Sequence, residues 1–142
     1  MDDDRLFELA DLILAVGRHI HVSKEVAGEQ WTPLESAVMR FIDKNPGTSA
    51  RAAAAATQLI SSNFSRAVRS LEGKGLVRRE IDEQDARRVR LYPTVRAQEN
   101  LQRLRTIWSR ELDGTLTDPA EIDVVIAALR RIEEQLVDRR RG

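Results

Sequence analysis

The sequence predicts a mainly α-helical fold of six helices with one small β-hairpin, and three observations carry that reading. Near both ends of the chain, apolar residues recur at alternating three- and four-residue steps: Leu6, Leu9, Ile13, Val16 and Ile20, then Ile122, Val125, Leu129, Ile132 and Leu136. That spacing is the narrow seam of helices that pack on helices. Thr32-Pro33 with Glu35, and Asp118-Pro119 with Glu121, each place a capping side chain, a first-turn proline and an acidic residue three positions after the cap. Residues 76–81 and 89–92 are short β-like runs on either side of a polar tip.

The first helix is expected over about residues 4–22, with Phe7, Leu12 and Leu14 widening its apolar surface. The second starts at the Thr32 cap, carries Leu34, Ala37, Val38, Phe41 and Ile42 inward, and stops near Pro46 and Gly47. Thr48 or Ser49 can cap a third over the alanine-rich run 50–56, where high helix propensity and little side-chain bulk allow a short helix close to a neighbour. Ser61 or Ser62 is the expected N-cap of the fourth. It buries Phe64, Val68 and Leu71, ends at Lys74 and Gly75, and leaves Asn63, Arg66 and Arg69 facing outward. The fifth is expected over about residues 94–113, with Leu101, Leu104, Trp108 and Leu112 on one face and Gly114 suited to its C-terminal stop. The sixth follows the Asp118 cap. A single 142-residue globule has little core left for two terminal seams, so a second copy of the chain is the economical partner.

Composition removes several classes of function. With no cysteine, the chain has no disulfide, thiolate catalysis, thiol redox sensing or cysteine-ligated zinc. His19 and His21, two residues apart on a helix, point to different sides and do not form a metal pair. No histidine lies near Ser61, Ser62 or Ser65 in sequence, and no glycine-rich phosphate loop occurs, so no catalytic set assembles and no cofactor or metal is expected. Glu8 and Asp11 interrupt the first apolar stretch, which argues against a signal peptide, and no segment approaches the ~20 apolar residues of a membrane span. A cytoplasmic protein is the expectation.

Net charge is zero, but its sign is segregated. Residues 1–30 hold three basic and seven acidic residues, a local charge of −4, whereas residues 61–90 hold eight basic and five acidic, a local charge of +3. The basic stretch is the helix bearing Asn63, Arg66 and Arg69 followed by the two β-like runs. Helix then ribbon, with arginines on both, is the order in which a winged helix-turn-helix meets DNA.

Two pieces of the chain together resemble the MarR family of transcriptional regulators over nearly its whole length. One is SNFSRAVRSLEGKGLV, similar to the family's serine- or threonine-rich helix leading into Leu, Glu, any, Lys, Gly, Leu, Val. The other is DEQDARRVRLYPT, whose Asp82, Asp85, Arg87, Leu91 and Thr94 fall on the family's wing pattern. Ala86, Pro93 and Gln58 depart from it, Gln58 standing where glycine often makes the turn. The resemblance implies a homodimer, with residues 1–30 and 94–142 supplying dimerisation helices and residues 31–93 a DNA-binding lobe that meets a pseudo-palindromic operator. It also implies repression relieved by a small-molecule effector.

On that reading Ser62, Asn63, Ser65 and Arg66 occupy the end of the recognition helix that enters the major groove, with Arg69 beside them; asparagine can pair bidentately with adenine and arginine with guanine. Arg87 is expected at the wing tip, reaching a narrow minor groove, with Arg88 beside it and Asp82 and Asp85 holding the tip. Arg78 and Arg79 are expected to neutralise phosphates. His19, Trp31, Met39 and Trp108 are the candidates for an effector crevice, with ordinary packing the competing role for each. The rival readings are a winged-helix protein-interaction module without sequence-specific DNA binding, and a MarR-like activator without ligand.

Overall fold

The computed structural model describes residues 2–20 and 31–141. Among them are six helices and three strands: α1 (Asp3–His19), α2 (Pro33–Lys44), β1 (Thr48–Ser49), α3 (Ala50–Thr57), α4 (Ser61–Gly73), β2 (Val77–Ile81), β3 (Val89–Pro93), α5 (Val95–Leu112) and α6 (Pro119–Arg141). The first helix ends at His19, short of the expected end at about residue 22, because Ile20 is already in an extended conformation; His21 lies outside the described residues. The chain divides into two compact units, Met1–Ile107 and Trp108–Gly142.

The core of the first unit is built by α2, α3, α4 and the sheet around Val38, Ile42, Val68, Leu71, Leu76 and Leu91. Thr32 caps α2 as expected: its hydroxyl accepts the Glu35 N–H at 3.1 Å. Its inward face differs from the expected one. Leu34 and Ala37 are exposed and Phe41 is half-buried, while Val38, Met39, Ile42 and Glu35 are buried. The buried stripe is centred about 90° further round the helix because Glu35, read as a capping residue alone, has a charge partner that admits it to the interior. Its carboxylate lies 2.6 Å from Lys74 Nζ, the C-cap residue of α4. Further along α2, burial pushes the Asp43 carboxyl up to about 6.

Ser49 caps α3, accepting the Ala52 N–H at 3.0 Å. The helix stops at Gln58, the non-glycine residue with positive φ (57°) among those described. A glutamine there carries a steric cost that glycine would not. For α4, Ile60 and not Ser61 or Ser62 occupies the N-cap, with no side-chain hydrogen bond, and Ser61 is already helical. The expected hairpin is also part of a larger sheet. Its central strand is β3, flanked by β2 (Val77 opposite Pro93, Ile81 opposite Val89) and by β1 (Thr48 opposite Leu91), all antiparallel.

Gly75, at φ +75°, turns the chain from α4 into β2. The Thr94 hydroxyl donates to the Gly75 carbonyl at 2.6 Å and accepts the Ala97 N–H at 3.2 Å, so it caps α5 while fastening that helix start to the turn.

In the second unit, the end of α5 passes through a turn at Gly114, φ +80°, into α6. Asp118 caps α6 by accepting the Ala120 N–H at 2.9 Å. Ile122, Val125, Leu129 and Leu136 on α6 are exposed, as are Leu6, Leu9, Ile13 and Val16 on α1; neither helix holds a buried residue among those described. No described helix is long and apolar enough to cross a membrane.

Candidate nucleic-acid interface

α4 is positioned by one stripe and presents another. Phe64, Ala67, Val68 and Leu71 are buried. At 100° per residue, the opposite side of the helix is the line Ser62, Arg66, Arg69, spaced i, i+4, i+7, with Asn63 and Ser65 half-buried on its two flanks. Arg66 and Arg69 are exposed and form no hydrogen bond or ion pair among the described residues. Their charge is therefore uncompensated.

Arg51 was not among the residues expected at the interface. This arginine is also exposed and unpaired among the described residues, in the first turn of α3. It borders an open depression of about 590 Å³ between α3, α4 and the sheet, shared with Ile60, Ser61, Ser65 and Arg79. The available signal was that it is the lone charge in an alanine-rich helix.

The first strand of the wing differs in electrostatic character. Arg79 Nε donates to the Glu72 carboxylate of α4 at 2.6 Å. Arg78 pairs with Glu80 and stacks over Tyr92, its guanidinium carbon 4.4 Å from the ring centroid. Both positive charges are already shared with carboxylates.

The wing tip is ordered by its own backbone and two aspartates. Asp82 N–H donates to the Arg88 carbonyl and Arg88 N–H to the Asp85 carbonyl, each at 2.9 Å. The Asp82 side chain accepts the Gln84 N–H at 2.9 Å and the Arg90 guanidinium at 3.1 Å, while Asp85 accepts the Arg87 N–H at 3.0 Å. The Gln84 N–H, then Arg90 and Arg88, hold the Asp82 carboxyl below the usual carboxylate range against the opposing effect of desolvation. Arg90 also donates to the Gly47 carbonyl at 3.0 Å, joining the wing to the turn before β1. With Asp82 turned inward and Asp85 half-exposed, the tip presents Arg87 with its side chain 96% exposed, 3.7 Å from Asp85 at Nε, and Arg88 beside it.

The chain matches the model of the MarR family over residues 31–88. The winged-helix lobe is a MarR-family domain. Among solved structures, MarR itself is similar over 94% of this chain and 98% of its own, at 25% identity and a TM-score of 0.65. The transcriptional repressor CouR, bound to a 23-mer DNA duplex, is similar over 94% and 98% of the two chains, at 24% identity and a TM-score of 0.67. The PcaV regulator of Streptomyces coelicolor, in complex with its natural ligand, is similar over 89% of each chain at 24% identity and a TM-score of 0.62. No curated protein is similar enough in sequence to match the chain. The MarR-family match ends within the wing, and the fold of a MarR-family transcriptional regulator extends through the flanking helices.

The four effector candidates occupy different environments. Met39 is 2% exposed inside the core, and Trp31 is half-buried against the same core. The Trp31 indole N–H is buried without a hydrogen-bond partner among the described residues. His19 is exposed at the end of α1, and Trp108 is 37% exposed in the second unit. Among the described residues, no group of three or more His, Asp or Glu side chains could hold a metal ion.

Proposed function

We propose that the chain is a sequence-specific, DNA-binding transcriptional regulator that works as a homodimer in the cytoplasm, a repressor released by a small ligand and not an enzyme. The observation that carries this reading is the Ser62, Arg66, Arg69 stripe, which faces away from the core and holds two guanidinium groups without a carboxylate partner among the described residues. Uncompensated arginines on one helix face, beside hydroxyl and amide side chains, supply both phosphate attraction and base-edge hydrogen bonding. The exposed Arg87 and Arg88 add a second contact for an adjacent minor groove. Arg51 adds a phosphate contact, and Arg78 and Arg79 keep that role only by sharing their charge with Glu80 and Glu72.

The exposed apolar seams of α1 and α6 support a dimer formed by residues 1–30 and 94–142, with residues 31–93 as the reading lobe. Two-fold symmetry then sets half-sites about 10 bp apart, one helical turn or a multiple of it. The CouR duplex complex supports repression by operator binding, and the PcaV complex supports control by a small molecule. The unsatisfied Trp31 N–H is the donor that an effector would engage, whereas Met39 lies too deep to be touched unless the core opens. An effector favouring one spacing of the two recognition helices shifts operator affinity by its differential affinity for the two states.

Selection of bound duplexes from a random pool tests the reading. A two-fold repeat centred one helical turn apart is the expected result; duplex capture without any common sequence would instead identify a module that does not read bases.

A further inference from the structure

We propose that Ile60 is a specificity residue that reads the C5-methyl group of a thymine in the major groove; this rests on the DNA-reading function proposed above. Ile60 is the N-cap of α4, immediately before Ser61 and Ser62, at the end of the helix that leads into the groove. The position favours Ser, Thr, Asp or Asn, whose side chains accept a first-turn amide, and isoleucine cannot do so. No side-chain cap bond forms, and Ile60 is 66% exposed. A large branched side chain is thus held in water where a polar one would stabilise the helix.

Its surroundings identify the occupant. Ile60 borders the open depression also lined by Arg51, Ser61, Ser65 and Arg79, and the two arginines nearest the helix start on either element, Arg51 and Arg66, are unpaired among the described residues. A polyanion drawn to these charges brings base edges to the helix start. The major-groove edges of the four base pairs offer hydrogen-bond donors and acceptors and a single apolar group, the thymine methyl. An aliphatic side chain among hydroxyls and guanidiniums has only that group to match. Ser62, Asn63 and Arg66 read polar edges, and Ile60 adds an apolar check at one position of each half-site.

The test uses the full-length protein and the duplex recovered by selection, with each half-site thymine replaced in turn by deoxyuridine, which lacks the methyl and keeps the same hydrogen bonds. One replacement should weaken wild-type binding about four-fold, the worth of one buried methyl, and leave the affinity of Ile60→Ser unchanged. Ile60→Ser supplies the missing cap, so its melting temperature should not fall, and a lower affinity cannot be assigned to unfolding. Equal tolerance of deoxyuridine at every position by both proteins overturns the role of Ile60 while leaving DNA reading intact. Failure of selection to yield any preferred duplex overturns both.

Discussion

Replacing Asp43 with asparagine should stabilise the protein at neutral pH and leave it unchanged in acid. Burial raises the Asp43 carboxyl from 3.8 to about 6, and the side chain forms no hydrogen bond or ion pair among the described residues. Between those two values the folded chain binds more protons at Asp43 than the unfolded chain does, so stability falls as pH rises through the window and stays lowered above it. A displacement of that size corresponds to at most about 3 kcal/mol at 1.36 kcal/mol per pH unit. Asp43 is only partly buried, so screening by water reduces the expected effect to about 1–2 kcal/mol. Asparagine keeps the shape and removes the charge. Urea unfolding at one fixed protein concentration, followed by circular dichroism at pH 7.5 and pH 4, measures the difference. The asparagine variant should be more stable at pH 7.5, with the two proteins converging at pH 4. An equal difference at both pH values, or none at pH 7.5, would refute the assignment of cost to an ionised, poorly solvated carboxylate.

Gln58→Gly should stabilise by about 0.5–1 kcal/mol in the same unfolding measurement, since glycine adopts φ 57° without the clash of a Cβ; destabilisation would show that the glutamine side chain outweighs that strain. Lys74→Met leaves the Glu35 charge buried and alone, and should cost about 2–4 kcal/mol, most of which is recovered in the double variant Lys74→Met, Glu35→Gln. A double variant no more stable than the single one would locate the loss in packing. Arg87→Ala should change stability by less than about 0.5 kcal/mol because the side chain is exposed, yet weaken duplex binding and reduce its salt dependence by about one counterion. An unaltered salt slope would place Arg87 off the phosphates and groove. Truncation before Asp118 should remove the α6 seam and yield a monomeric or aggregating chain by light scattering; a stable dimer would move the interface elsewhere.

Local chemistry was legible in the sequence wherever the determining residues are neighbours. The Thr32 and Asp118 caps, the buried Phe64, Val68 and Leu71 stripe and the Gly75 and Gly114 turns all rest on spacings of one to four residues, and each forms as expected. What escaped depends on distant partners. Glu35 looks like a surface cap until Lys74, 39 residues later, admits it to the core and rotates the buried face of α2. Strand β1 has two residues, too few to show a period, and exists only because β3 lies beside it. Arg78 and Arg79 read as free cations until the fold brings Tyr92 over the first and Glu72 against the second; the Arg78–Glu80 pair, two residues apart, was within reach of the sequence and was missed. The serines at 61 and 62 satisfied a capping rule one or two residues too late, and the residue in the true cap position, Ile60, was invisible to a search for polar caps.

The central place of β3 carries a mechanical consequence. Because this wing strand is bonded on one side to β2 and on the other to the two residues that open α3, and Arg90 ties it to Gly47 as well, the wing is no loose flap. Swinging it away from the helices would break a strand pairing and a charged contact at once. The arginines of the tip and of α4 therefore belong to one joined frame, and on the proposed DNA-reading function a change of grip would have to turn that frame as a whole.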